Sequence, residues 1–195
     1  MAHHPKPKQR TLLISERIDK KLAGDIIRSI YEINEDDADK EDEYRNWKRE
    51  PIRLLINSNG GSVYDGLGII SAMRLSQTPV HTYAMGSVMS MALFIYVSGH
   101  KRLVAPYTTF MYHQLSFFAW DKMEGIKEQI AEGERIEALC EALLAEHTDI
   151  KPEILDPYKK QKSEWYFSPQ EALTYRVSDE MLSPVLGSDA PGTGQ

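Results

Sequence analysis

One α/β domain built on βαβ units is the fold this sequence predicts, and three observations predict it. Two segments that read as strands, 52–56 and 80–85, are each followed by a turn and then a helical pattern, 64–75 and 87–97. Strands alternating with helices in this way make right-handed crossovers. With 195 residues the chain is long enough for one sizeable core.

Along the chain, residues 1–10 are polar and proline-containing and are expected to be disordered. Residues 11–15 read as a strand, followed by a helix with Ile18, Leu22, Ile26, Ile27, Ile30 and Ile33 at helical spacing. Residues 35–43 are almost purely acidic and are expected as a solvated loop within an insertion spanning about 34–50. After the two βαβ-type runs come short strands near 102–104 and 109–112, the second leading into His113. Residues 121–147 form a long helix whose apolar stripe is Met123, Ile126, Ile130, Ile136, Cys140, Leu143 and Leu144. Ser168-Pro169-Gln170-Glu171 carries a helix start, with serine as cap, proline first and an acid at the third position. The tail from 185 is expected to be disordered, and there are no internal repeats.

Composition excludes several classes. A net charge of −6 with no basic stripe argues against nucleic-acid binding. A lone cysteine, Cys140, rules out an internal disulfide framework and reads as a buried structural thiol in a reducing compartment. No apolar run reaches the roughly 18 residues of a membrane span, and the start lacks the apolar core of a secretion signal. The expectation is a cytoplasmic protein. No histidine pair has metal-ligand spacing and no acid-rich cluster accompanies one, so neither a metal nor another cofactor is expected.

Three motifs carry chemistry. Asn57-Ser58-Asn59-Gly60-Gly61-Ser62 is a glycine turn after a strand, Gly86-Ser87-Val88-Met89-Ser90-Met91 opens an apolar helix, and Met111-Tyr112-His113 ends a strand. A serine hydroxyl becomes a nucleophile only when a neighbouring base takes its proton, and the oxyanion formed needs fixed N–H donors. These segments supply the parts of an acyl-transfer site. Locally, Ser87 rivals Ser90, although it reads more as the helix cap; His147 rivals His113, although at the end of its helix it reads as a partner of the terminal carbonyls.

In this order these motifs, together with Phe167-Ser168-Pro169-Gln170-Glu171-Ala172-Leu173, resemble the proteolytic subunit of the Clp protease over roughly residues 11–183. The resemblance implies a crotonase-like α/β fold of repeated ββα units with a protruding handle made of a strand and the long helix, the peptidase domain occupying 11–184. It implies a serine endopeptidase with Ser90 as nucleophile, His113 as base, and the amides of Gly61 and Met91 as oxyanion hole. The family's third member, an aspartate, is replaced here by Glu164, which implies a Ser-His-Glu triad. Extended substrate would pair with Gly60, Ser62 and Val63 on one side and Leu115, Ser116 and Phe117 on the other.

The implied partners are polypeptide substrates and copies of the chain itself, in a self-compartmentalising ring, seven-membered by analogy. Three departures bear on assembly. The segment Leu115–Trp120 is bulky and glycine-free, Ser163 stands where the family has an arginine used across rings, and the N-terminal loop that meets an ATP-dependent unfoldase is largely absent. They count against a double ring and against the usual unfoldase. Rival readings are a weakly active or structural subunit of a mixed ring, a phage capsid-maturation protease on the same fold, and an acyl-CoA enzyme, in which the Ser90–His113 pair would have no role.

Overall fold

The structure is a computed structural model that describes residues 9–116 and 122–183. Its elements run β1 Thr11–Ile14, α1 Lys20–Glu43, β2 Ile52–Ser58, α2 Val63–Leu75, β3 Val80–Met89, α3 Met91–Val97 and β4 Lys101–Val104. Then come β5 Thr109–Tyr112, α4 Met123–His147, α5 Pro152–Gln161, β6 Trp165–Phe167, α6 Pro169–Thr174 and β7 Glu180–Met181. Strands β1-β2-β3-β4-β7 lie side by side and parallel.

The long strand β3 changes partner along its length. Its first half, His81–Ala84, pairs with β4, and its last three residues, Ser87–Met89, pair with β5. Between them the β2–β3 register slips, so that Ile56 faces Ala84 but Ser58 faces Val88. Gly86 sits in the slip with φ +72, where a Cβ would lie 2.6 Å from Asn57 Oδ1. Asn57 Oδ1 accepts from the amide of Ser87 at 2.9 Å and fastens the irregularity. Bulges of this kind re-aim the strand that carries them. The expected helix over 87–97, opened by Gly86 and capped by Ser87, is corrected here: pairing with β5 keeps Ser87–Met89 extended, and the helix begins only at Met91.

The acidic run is also corrected. It forms the last turns of α1, where Asp37 and Lys40 continue the buried stripe of Ile26, Ile30 and Ile33. A carboxylate can take a core position only if paired and hydrogen-bonded. Arg10, from the segment expected to be disordered, is itself buried and supplies both hydrogen bonds and charge, with Thr78 donating at 2.6 Å and Trp47 at 3.2 Å. Burial pushes the Asp37 pKa up, but these donors outweigh it and hold the carboxylate below its ordinary range.

In α4 only the second half of the expected stripe is buried, at Ile136, Cys140 and Leu144, while Met123 and Ile130 are exposed. The helix packs on α3 at its C-terminal end and projects away at the other. His147 does not cap its own helix: its Nε2 meets Arg74 at 2.6 Å, while Arg102 donates to its carbonyl. Burial lowers the His147 pKa, which suits a neutral ring accepting from arginine. The start of α6 matches expectation, with Ser168 and Glu171 closing a reciprocal capping box.

Candidate active site

Ser90 stands at the turn between β3 and α3 with φ +53 and ψ −126, a conformation an L-residue adopts only when its surroundings enforce it. The enforcement is visible. The Ser90 amide donates to the carbonyl of Met111 on β5 at 2.9 Å, and its carbonyl accepts from Leu93 as α3 begins. The α3 helix is wholly buried, so the turn cannot relax outward. The hydroxyl then faces His113, one residue beyond β5, with Nε2 and Oγ 2.8 Å apart. Two strands that pair through Met89 and Met111 thus bring the Ser90 hydroxyl and the His113 imidazole to one point.

The glycine turn lies against the same point. A Cβ on Gly60, whose φ is +97, would sit 2.8 Å from both the Met89 carbonyl and Ser90 Cβ, and 3.0 Å from the Met91 nitrogen. Gly61 is clamped from behind by Ile18, whose amide donates to the Gly60 carbonyl while its carbonyl accepts from Ser62. In such a parallel bridge the central residue's own N–H points away from the clamping strand. The Gly61 amide therefore turns away from Ile18, and the Met91 amide is the first of α3. Among the described residues neither amide has an intramolecular acceptor. Free amides at a helix start favour negative charge.

Ser62 and Val63 are the cap and first residue of α2, so extended backbone on this side stops at Gly61. Leu115 and Ser116 line the cavity next to Ser90 but form no strand, and Phe117 lies outside the described residues.

Glu164 is not bonded to His113. It is exposed, and its Oε2 accepts from the hydroxyl of Tyr166 at 2.5 Å, which raises the Tyr166 pKa. Its placement is nonetheless informative. In the antiparallel β5–β6 pair, Phe110 faces Phe167 and Tyr112 faces Trp165, the last pair of the ladder, so one further step of the same register would set His113 opposite Glu164. Opposed residues of such a pair project from one face. The register is held by a run of rings: Phe110 on Phe167 at 5.1 Å, Phe167 on Trp165 at 4.6 Å, Trp165 on Tyr158 at 5.5 Å.

Cys140 lines the cavity beside Ser90, yet burial first, then the charges of Glu137 and Glu141, push its thiol up to about 11. It is an inert thiol. Glu137 is a residue that sequence reasoning missed; the available signal was an acid standing between Ile136 and Cys140 on the buried side of a helix. Among the described residues no group of histidine, cysteine and carboxylate side chains has the arrangement of a metal site.

The Clp protease family model matches residues 7–184. The ATP-dependent Clp protease proteolytic subunit of Deinococcus radiodurans is 26% identical over 177 residues, covering 90% of this chain and 81% of that one. Among solved structures, an asparagine-to-aspartate mutant of ClpP1 from Listeria monocytogenes is similar with a TM-score of 0.74 and 25% identity, covering 89% of this chain and 91% of that chain. Its likeness extends to the mixed α/β architecture and parallel sheet described above. Agreement on this scale, in sequence and in fold, means that the chain belongs to the Clp protease family and is a serine peptidase.

Proposed function

We propose that the chain is an endopeptidase that cleaves polypeptides through an acyl-enzyme on Ser90. The contact between Ser90 Oγ and His113 Nε2, at 2.8 Å, carries this reading. As Oγ bonds to the scissile carbonyl carbon, His113 takes the hydroxyl proton and passes it to the leaving amine as the C–N bond breaks. Water, deprotonated by the same imidazole, then releases the acid and restores the hydroxyl. The amides of Gly61 and Met91 hold the oxyanion. Glu164, opposite His113 in register, supports the imidazolium when its carboxylate leaves Tyr166. Substrate backbone lies extended between Gly60-Gly61 and the Leu115–Phe117 segment.

The working form is a ring of identical subunits, seven by analogy, in the cytoplasm. Among the described residues no helix is long and apolar enough to cross a membrane. The exposed Met123 and Ile130 on the projecting half of α4 support subunit contact, since such residues gain by burial against a neighbour. A second reading, a weakly active subunit, draws on the bond between Glu164 and Tyr166 in place of one to His113.

A fluorophosphonate probe tests the assignment. Wild type and Ser87→Ala should be labelled, Ser90→Ala should not, and peptide hydrolysis should fall by roughly 10⁴ to 10⁶ in the last. Labelling that survives in Ser90→Ala and vanishes in Ser87→Ala would overturn it. Negative-stain microscopy should show rings; a monodisperse monomer with full peptidase activity would contradict the assembly.

A further inference from the structure

The cavity beside Ser90 is small, about 70 Å³, and has two unlike walls. One is the catalytic wall of Gly61, Ser90 and His113; the other is the face of α4 that presents Glu137, Cys140 and Glu141. Because the cavity touches both the nucleophile and an oxyanion amide, it receives the side chain of the residue whose carbonyl is attacked. That placement rests on the function proposed above.

The two carboxylates of the α4 wall differ in their partners. Glu141 pairs with Lys159 at 2.5 Å. Glu137 forms no ion pair among the described residues. Its Oε2 accepts from the neutral amide of Gln114 at 3.3 Å, and its Oε1 is buried with no hydrogen-bond partner among the described residues. A buried carboxylate oxygen without a donor is costly, and the cost is recovered when a donor arrives. Among the described residues neither lysine nor arginine lines the cavity, and Lys159, which also feels the charge of Glu137, is held by Glu141. The negative field there is felt by its neighbours: burial first, then Glu141 and Glu137, push the Tyr112 hydroxyl upward.

We infer that Glu137 makes this cavity a receptor for a cationic side chain, so that the enzyme cleaves preferentially after lysine. An ammonium head on a straight apolar stem suits a narrow cavity with apolar sides at Phe94 and Met91 and the Glu137 carboxylate in its wall. A planar guanidinium needs more room and a two-oxygen partner, while Gln114 already occupies the second Glu137 oxygen.

The test uses the full chain and peptides that differ only in the residue before the scissile bond: lysine, arginine or norleucine. The kcat/KM for lysine should exceed that for norleucine about tenfold or more, as a charge-assisted hydrogen bond gives. Glu137→Gln should bring the lysine-to-norleucine ratio close to one, and Glu137→Asp should restore part of it. Wild type alone also decides the matter. A peptidyl aldehyde ending in lysine should protect Ser90 from the fluorophosphonate at roughly a tenth of the concentration needed with norleucine. Equal protection, or a ratio untouched by Glu137→Gln, overturns the role of Glu137 and leaves the serine peptidase intact. Failure of the probe to label Ser90 at all overturns both.

Discussion

Gly60→Ala is the substitution that most directly tests how the glycine turn and Ser90 are locked together. The new methyl would lie 2.8 Å from the Met89 carbonyl and from Ser90 Cβ, and 3.0 Å from the Met91 nitrogen, all atoms of the turn that holds Ser90. None of the three is the end of a flexible side chain. Holding an L-residue at φ +97 adds strain of about 1–2 kcal/mol. Overpacking against backbone adds about 1–3 kcal/mol more. A total of about 2–5 kcal/mol should lower Tm by roughly 5–15 °C in a chain of this size. If the turn yields instead, Ser90 and the Met91 amide move together, and a displacement near 1 Å costs about 10²-fold in rate. In that case the second-order rate of fluorophosphonate labelling should fall about 100-fold, read beside a thermal melt. Gly24→Ala is the control: this helical glycine has nothing within 4 Å of a Cβ, so the change should add about 0.5–1 kcal/mol and leave labelling alone. A Gly60→Ala protein with wild-type labelling and wild-type Tm would refute the packing argument.

The other expectations concern charge. Tyr166→Phe removes the hydroxyl that holds Glu164, and should raise kcat/KM at neutral pH by about twofold or more, whereas Glu164→Gln should lower it; a null result for both would show that Glu164 does not support His113. Asp37→Asn strands a buried arginine and should cost about 3–5 kcal/mol at pH 7 in urea unfolding. The Asp37 pKa is depressed on folding, so its contribution is complete above the unfolded value of 3.8 and is lost as pH falls through the lower folded value. The variant should therefore differ less from wild type at pH 3 than at pH 7, and an equal loss at both would be inconsistent with the ion pair.

Much of this was legible because it is local. The helical spacing of α1 is carried by Leu22, Ile26, Ile30 and Ile33 themselves, and the α6 cap by Ser168 and Glu171 within one turn of each other. The order of Gly61, Ser90 and His113 pointed to one site because strand ends in a parallel sheet converge. What escaped depends on distant partners. Asp37 is a core residue only because Arg10, 27 residues earlier, reaches it. Ser87 stays extended because β5 pairs with it. Strands β6 and β7, three and two residues long, exist through their neighbours, and no periodicity can be read from so few residues. The opposition of His113 and Glu164 is a matter of antiparallel register, which a linear sequence does not display.

The bridge from Ile18 to the glycine turn ties alignment of the proposed site to completion of the fold. The Gly61 amide is aimed by a residue far earlier in the chain, Ser90 by Met111, and His113 follows a strand whose antiparallel partner, β6, comes only near the end of the domain. Each closes a long loop, whose entropy must be paid before its contacts form. A nascent or locally unravelled chain holds every reactive group and still has no aligned site. The Ser90–His113 contact therefore exists only once β3 and β5 have met.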